Sequence, residues 1–272
     1  CEGRAMTASK SIESVRYYAC GYCTNDLHTV FRGYSHEKRQ FPAGVFLIRH
    51  AREGYILFDT GYSSEICKLG LKGRLYNLLN PTSVRPADEI QNQLMADGIQ
   101  PEEIRYLFLS HLHPDHIGCV KHFKSARIVL SRDAFLRYRR NRLGDLIFQR
   151  LLPPWFAAHC TVLRREQLRE EKNAYFSYCD FFGDGSLLLT QMDGHARGQL
   201  CCLIENKIFL GADASWGNEF VGRANELRFL ARLVQDDMRA YRENDRILSR
   251  MRSDGIRLCF SHDRGIEEVI RG

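Results

Sequence analysis

The chain has 272 residues, 44% hydrophobic and 26% charged, a balance that supports a globular protein with a sizeable core. Its formal charge of +6 is modest for that length, and no run approaches eighteen uninterrupted apolar residues, which excludes a spanning helix. A small-molecule substrate is expected, with neither nucleic acid nor a membrane as partner.

The opening Cys1-Glu2-Gly3-Arg4-Ala5-Met6 lacks the apolar core of a secretory signal. Met6 reads as an initiator with residues 1–5 a remnant ahead of it, and the expected address is cytoplasmic. Cys20-Gly21-Tyr22-Cys23 has the spacing of redox and zinc-knuckle sites, yet no second C-x-x-C completes a four-cysteine site. Reduced structural thiols are expected there, and Cys119, Cys201, Cys202 and Cys259 sit in or beside apolar runs as small hydrophobes do. Residues 45–49 and 55–59, around a turn at Glu53-Gly54, read as a hairpin. A helix is expected over 86–97, ending at Asp97-Gly98, with a short helical turn from Pro101.

Strands follow at 105–110 and 127–130, then a helix at 132–140. The basic stretch 132–142 (RDAFLRYRRNR) reads as a solvated helix face rather than a nucleic-acid surface. Residues 146–156, containing Phe148, Trp155 and Phe156, suit a substrate pocket and a core segment equally. Next come a strand at 187–190, a hairpin of 200–205 and 207–210 around Asn206, a helix over 224–252 broken near Asn244-Asp245, and a strand at 256–260. Strands in both halves with helices between them imply two sheets covered by helices, an α/β (α+β) single domain over residues 1–272.

The chemistry concentrates in Ser110-His111-Leu112-His113-Pro114-Asp115-His116-Ile117-Gly118, directly after a strand. Only ten histidines occur in the chain, and three fall within these six positions from 111 to 116. Residues two apart in extended backbone point the same way, so His111 and His113 can converge on one metal. Asp115 and His116 lie past Pro114, where the chain turns, and can face a second ion. Imidazole and carboxylate suit zinc, and they also accept iron or manganese. His195, Asp213 and His262 each stand just after an expected strand.

This order resembles the metallo-β-lactamase superfamily, from Phe58-Asp59-Thr60-Gly61 to His262, and within it most resembles the N-acyl homoserine lactonases. The resemblance implies a four-layer αββα sandwich with two Zn2+ at one edge. It assigns His111, His113 and His195 to one ion, Asp115, His116 and His262 to the other, and Asp213 to both. Asp59, which alone reads equally as a turn residue, would brace the metal loop. The implied activity is a metal-dependent hydrolase in which two ions activate a bridging water to cleave a lactone or ester, with Asp115 passing on the proton. A thioesterase of the glyoxalase II kind and a phosphodiesterase or nuclease are the alternatives. Those lactonases carry a Tyr three residues after the shared Asp; here Trp216 stands there, an N–H donor without a phenol, and is expected over the substrate pocket.

Overall fold

Side chains alternate along the apolar strands, and that alternation builds the layers. The computed structural model describes residues 11–266 and 268–270; residues 1–5 and Met6, read above as remnant and initiator, lie outside them. The first half supplies β1 (Ile12–Asp26), β2 (Lys38–His50), β3 (Gly54–Phe58), β4 (Thr82–Ser83), β5 (Ile104–Phe108), β6 (Arg127–Ser131) and β7 (Cys160–Leu163). The second supplies β8 (Glu171–Lys172), β9 (Ser177–Asp180), β10 (Leu187–Gln191), β11 (Leu200–Ile204), β12 (Ile208–Leu210), β13 (Arg257–Cys259) and β14 (Glu268–Ile270). One sheet runs β14-β1-β2-β3-β5-β6-β7, with β4 beside β1; the other runs β13-β12-β11-β10-β9-β8.

Phe46, Ile48, Ile56 and Phe58 turn one way and meet Leu187, Leu189, Cys202 and Leu210 between the two sheets. Their neighbours Val45, Leu47 and Leu57 turn outward onto Ile90 and Leu94 of a helix. On the far side Leu188, Cys201 and Leu203 pack against Leu248 and Met251 of another. Helix, sheet, sheet, helix is the αββα order. The helices are α1 (Leu27–Val30), α2 (Gly70–Leu79), α3 (Ile90–Ala96), α4 (Pro114–Ile117), α5 (Arg132–Arg140), α6 (Phe156–His159), α7 (Phe229–Leu233) and α8 (Met238–Ser253).

Two helices differ from the sequence reading. The stretch 224–252 breaks between α7 and α8, and Asn244 and Asp245 lie inside α8. Asp237 caps α8 by accepting the Arg239 and Ala240 amides, which fixes the start. Asn244 donates to the Asp193 carbonyl, and Asp245 accepts the Gly222 and Ala224 amides. These polar side chains serve tertiary partners, so they do not interrupt the helix. At 86–97 a 3-10 turn, Pro86–Asp88, precedes α3. Between them Glu89 is extended, its carboxylate accepting from Ser63, Ser64 and Gln91.

Candidate metal centre

Parallel strands deliver their ends to one edge. β3 and β5 are parallel, so Asp59 and the loop from Ser110 to His116 leave the first sheet side by side. In the second sheet β10 and β12 are each antiparallel to β11, and β12 is parallel to β13. His195, Asp213 and His262 therefore emerge at one edge of it. The loops are laced together: Thr60 donates its amide to the His116 carbonyl at 2.8 Å, and Gly118 to the Gly61 carbonyl at 2.9 Å. Gly118 has no room for a side chain, because a Cβ would lie 2.4 Å from the Ser63 nitrogen. Asp59 (φ 66°) and Ala212 (φ 45°), the latter just before Asp213, are non-glycine residues in the left-handed region, a strain that clusters at functional sites.

All seven ligand candidates meet here. His111, His113 and His195 offer atoms within 4.8 Å of one another, and Asp115, His116, Asp213 and His262 do the same. Asp213 reaches both groups, its Oδ2 lying 3.3 Å from His195 Nε2 and 3.1 Å from His262 Nε2. Three of the outer imidazole nitrogens have a fixed partner. His116 Nδ1 donates to Asp59 Oδ2 at 2.8 Å, His262 Nδ1 to the Pro42 carbonyl at 2.6 Å, and His195 Nδ1 to Gln235 Oε1 at 2.9 Å. That pattern turns Nε2 of His116, His195 and His262 to the inner side, where a metal ligand must offer it, while His113 offers Nδ1 to His111 and His195. Asp59 itself also accepts the Ser110 amide and hydroxyl, both at 2.7 Å.

Donor chemistry and burial fit divalent cations. His116 Nε2 and Asp213 Oδ1 are buried without a hydrogen-bond partner, although they lie 3.4 Å apart. Burial and the adjoining imidazoles hold His111 and His113 well below the usual histidine range. Burial would lower His262 too, but the Asp213 and Asp115 carboxylates outweigh it and push it up to about 9. Burial likewise opposes ionisation of Asp213, yet His262, His116 and His195 hold it well below the carboxylate range. The second group thus favours positive charge beside its carboxylates.

A cleft opens over this cluster, walled by Cys23, Phe41, Tyr62, Tyr76 and Trp216, with Val234 at its side. Trp216 lines the cleft, its ring edge-on to His195 at 6.2 Å and to Phe31 at 6.3 Å. Its loop is held by Asp263, which accepts the Asn218 amide and side chain. The other pocket candidates go elsewhere. Phe148 and Phe156 are buried in the core between sheet and helices, and Trp155 packs on that core beside His159.

Cys20 and Cys23 diverge across β1, Cys20 into the helix-covered core and Cys23 to the cleft; both thiols are free. In the basic helix α5, Arg137 is tied to Asp145 and Asp236, and Asp133 to Arg165. Gln235, Tyr62 and Tyr76 had no motif to mark them. The Tyr62 and Tyr76 hydroxyls lie 2.8 Å apart.

The two-sheet sandwich has the metallo-β-lactamase fold, and residues 40–132 match the metallo-beta-lactamase superfamily. The chain is similar to the N-acyl homoserine lactonase AttM of Azorhizobium caulinodans, 27% identical over 175 residues that cover 61% of this chain and 60% of that one. It is also similar to the N-acyl homoserine lactonase AiiB of Agrobacterium fabrum, 32% identical over 97 residues, covering 35% and 34%. The first match thus spans about 60% of its relative's length. Among solved structures, that of an N-acyl homoserine lactone hydrolase with the product N-hexanoyl-L-homoserine at its catalytic metal center superposes with a TM-score of 0.70 at 19% identity, covering 93% of this chain and 94% of that one. No helix among the described residues is long and apolar enough to cross a membrane.

Proposed function

We propose that the chain is a dinuclear metal-dependent hydrolase that cleaves lactone or ester bonds of a small molecule. The observation that carries this reading is the carboxylate of Asp213 set between two ligand groups at the floor of an open cleft. His111, His113 and His195 would hold one ion and Asp115, His116 and His262 the other, with Asp213 touching both. The all-nitrogen-and-oxygen donor set suits zinc, and accepts iron or manganese. Bound there, such ions supply Lewis acidity and lower the pKa of water to about 7.

The chain's own groups do the rest. Asp115 lines the cleft, with its Oδ2 3.8 Å from His262 Nε2, so its carboxylate can take a proton from the attacking side and return it to the leaving oxygen. The phenol absent at position 216 has substitutes from other elements. Two hydroxyls that share one hydrogen bond keep one proton between them for another acceptor, and Tyr62 and Tyr76 both line the cleft. A substrate carbonyl is such an acceptor. Trp216 and Phe41 supply apolar wall for an acyl or aromatic group.

A hydrolysis panel of acyl lactones, simple esters, thioesters and phosphodiesters, with metal-replete protein, tests this. Turnover of lactones or esters above the other classes is expected. Preferential thioester turnover would favour the glyoxalase II reading, and phosphodiester turnover alone would overturn the ester assignment.

A further inference from the structure

Two short helices beside the cleft leave large apolar side chains in water. On α2, Leu71, Leu78 and Leu79 are 83%, 76% and 66% exposed. On α7, Phe229, Leu230 and Leu233 are 72%, 69% and 65% exposed. Leu75 and Val234 extend these two patches, and among the described residues Met95 is the one exposed large hydrophobic elsewhere. Scattered singly, such residues need no explanation; concentrated on two neighbouring segments, they do.

Both segments border the same opening. Tyr76 and Asn80 line the cleft from α2 and its C-terminal cap, and Val234 lines it from the residue after α7. Tyr76 and Ala231 also join one apolar cluster beneath, which anchors the helices while their outer faces stay bare.

Residues 66–80 contain Lys68, Lys72 and Arg74, and residues 227–235 contain Arg228 and Arg232; of the acids that flank them, Glu65, Glu226 and Asp236 are paired with Lys121, Arg223 and Arg137, and Asp237 caps α8. Lys72 turns inward to the Ile147 carbonyl at 2.9 Å, while Lys68 and Arg74 are exposed. Leu and Phe interleaved with Lys and Arg, without Asp or Glu, is the composition of helices that lie in a lipid headgroup layer. A second copy of this chain docked face to face would set like charges together. Anionic lipid answers both the apolar and the basic character.

We propose that this rim seats the molecule reversibly on an anionic lipid surface, with the cleft mouth turned toward the acyl region. With ten and five residues, α2 and α7 are too short to span a bilayer and suit its surface. Such a surface needs no spanning helix, and the proposal departs in this from the expectation of no membrane partner. The docking holds whether or not the cleft hydrolyses esters.

Co-sedimentation of the full chain with vesicles tests it, comparing phosphatidylglycerol mixed into phosphatidylcholine with phosphatidylcholine alone. Binding to the mixed vesicles is expected, with much weaker binding to the neutral ones and a decline as salt rises. Lys68→Ala with Arg74→Ala should lower affinity roughly thirtyfold, the effect of two basic groups at such a surface. Leu71→Ser with Leu75→Ser and Leu78→Ser should reduce binding to background at an unchanged melting temperature. Binding to neither vesicle, or equal binding to both, overturns the proposal. So does sedimentation velocity that finds a lipid-free dimer which the leucine variant splits.

Discussion

Gln235 accepts the His195 Nδ1 proton while its own amide donates to the Ala231 carbonyl, so one side chain sets both the tautomer and the tilt of a candidate ligand. Gln235→Ala should lower metal affinity about 10- to 100-fold while leaving the fold intact, as partners of metal-bound histidine do. Competition with a chelator measures this, and unchanged affinity would mean that the packing around His195 suffices. Trp216 sits edge-on to His195, and Trp216→Tyr puts a phenol at the place where the resemblance to the lactonases leads one to expect it. That change should raise kcat/KM on acyl homoserine lactones relative to thioesters and aromatic esters. A uniform fall across the substrate classes with a lower melting temperature would instead make Trp216 a packing residue for Phe31. The phenol pair has its own expectation: Tyr62→Phe or Tyr76→Phe should cost at least tenfold in kcat, because a donor aimed at developing charge contributes a few kcal/mol. Unchanged kcat in both variants would remove the pair from the chemistry.

Helix α8 shows how far an element depends on context. Asn244 reaches from it to the Asp193 carbonyl, two residues before His195, and so pins the loop that presents that candidate ligand. Asn244→Ala should destabilise the protein by about 1–3 kcal/mol, the cost of leaving that acceptor unpaired; thermal unfolding reads it, and a neutral result would contradict the role. From sequence alone Asn244-Asp245 looked like a helix break, since side-chain amides and carboxylates compete with the local backbone. Their partners lie about 20 and 50 residues away in sequence, at Gly222, Ala224 and Asp193, where no local pattern reveals them. Strand β1 escaped the sequence reading for a related reason. Its 15 residues mix Tyr, Cys, Arg and Glu, and Gly21 interrupts them at φ 79°. Partners on both sides, β2 and β14, make it a strand. The apolar runs at β2, β3, β5, β10 and β11 were legible because short unbroken apolar stretches bounded by turn residues mark strands buried on both faces. So were the ligand candidates, since His and Asp at strand ends have few other reasons to recur. Apart from Trp216 the cleft wall was not legible: Tyr62, Tyr76, Phe41 and Cys23 come from four separate stretches brought together only by folding. Phe148 and Phe156, apolar and near the basic helix, were equally suited by sequence to the core they occupy.

At the scale of the whole molecule, two sheets each present their parallel strand ends to one edge, and neither sheet alone holds a complete site. His111, His113, Asp115 and His116 come from the first sheet, and His195, Asp213 and His262 from the second. Ions held between them would therefore also clamp the sandwich. Chelation should lower the melting temperature, since a ligand at a thousand times its dissociation constant stabilises the fold by about 4 kcal/mol. Equal melting with and without chelator would place the ligand atoms in a structure that needs no cation. Asp213 is the residue common to both groups, and its replacement by Ala should empty both sites together. Elemental analysis of the metal-loaded protein tests this most directly: about two divalent transition-metal ions per chain are predicted, and one ion or none after loading would contradict the dinuclear centre.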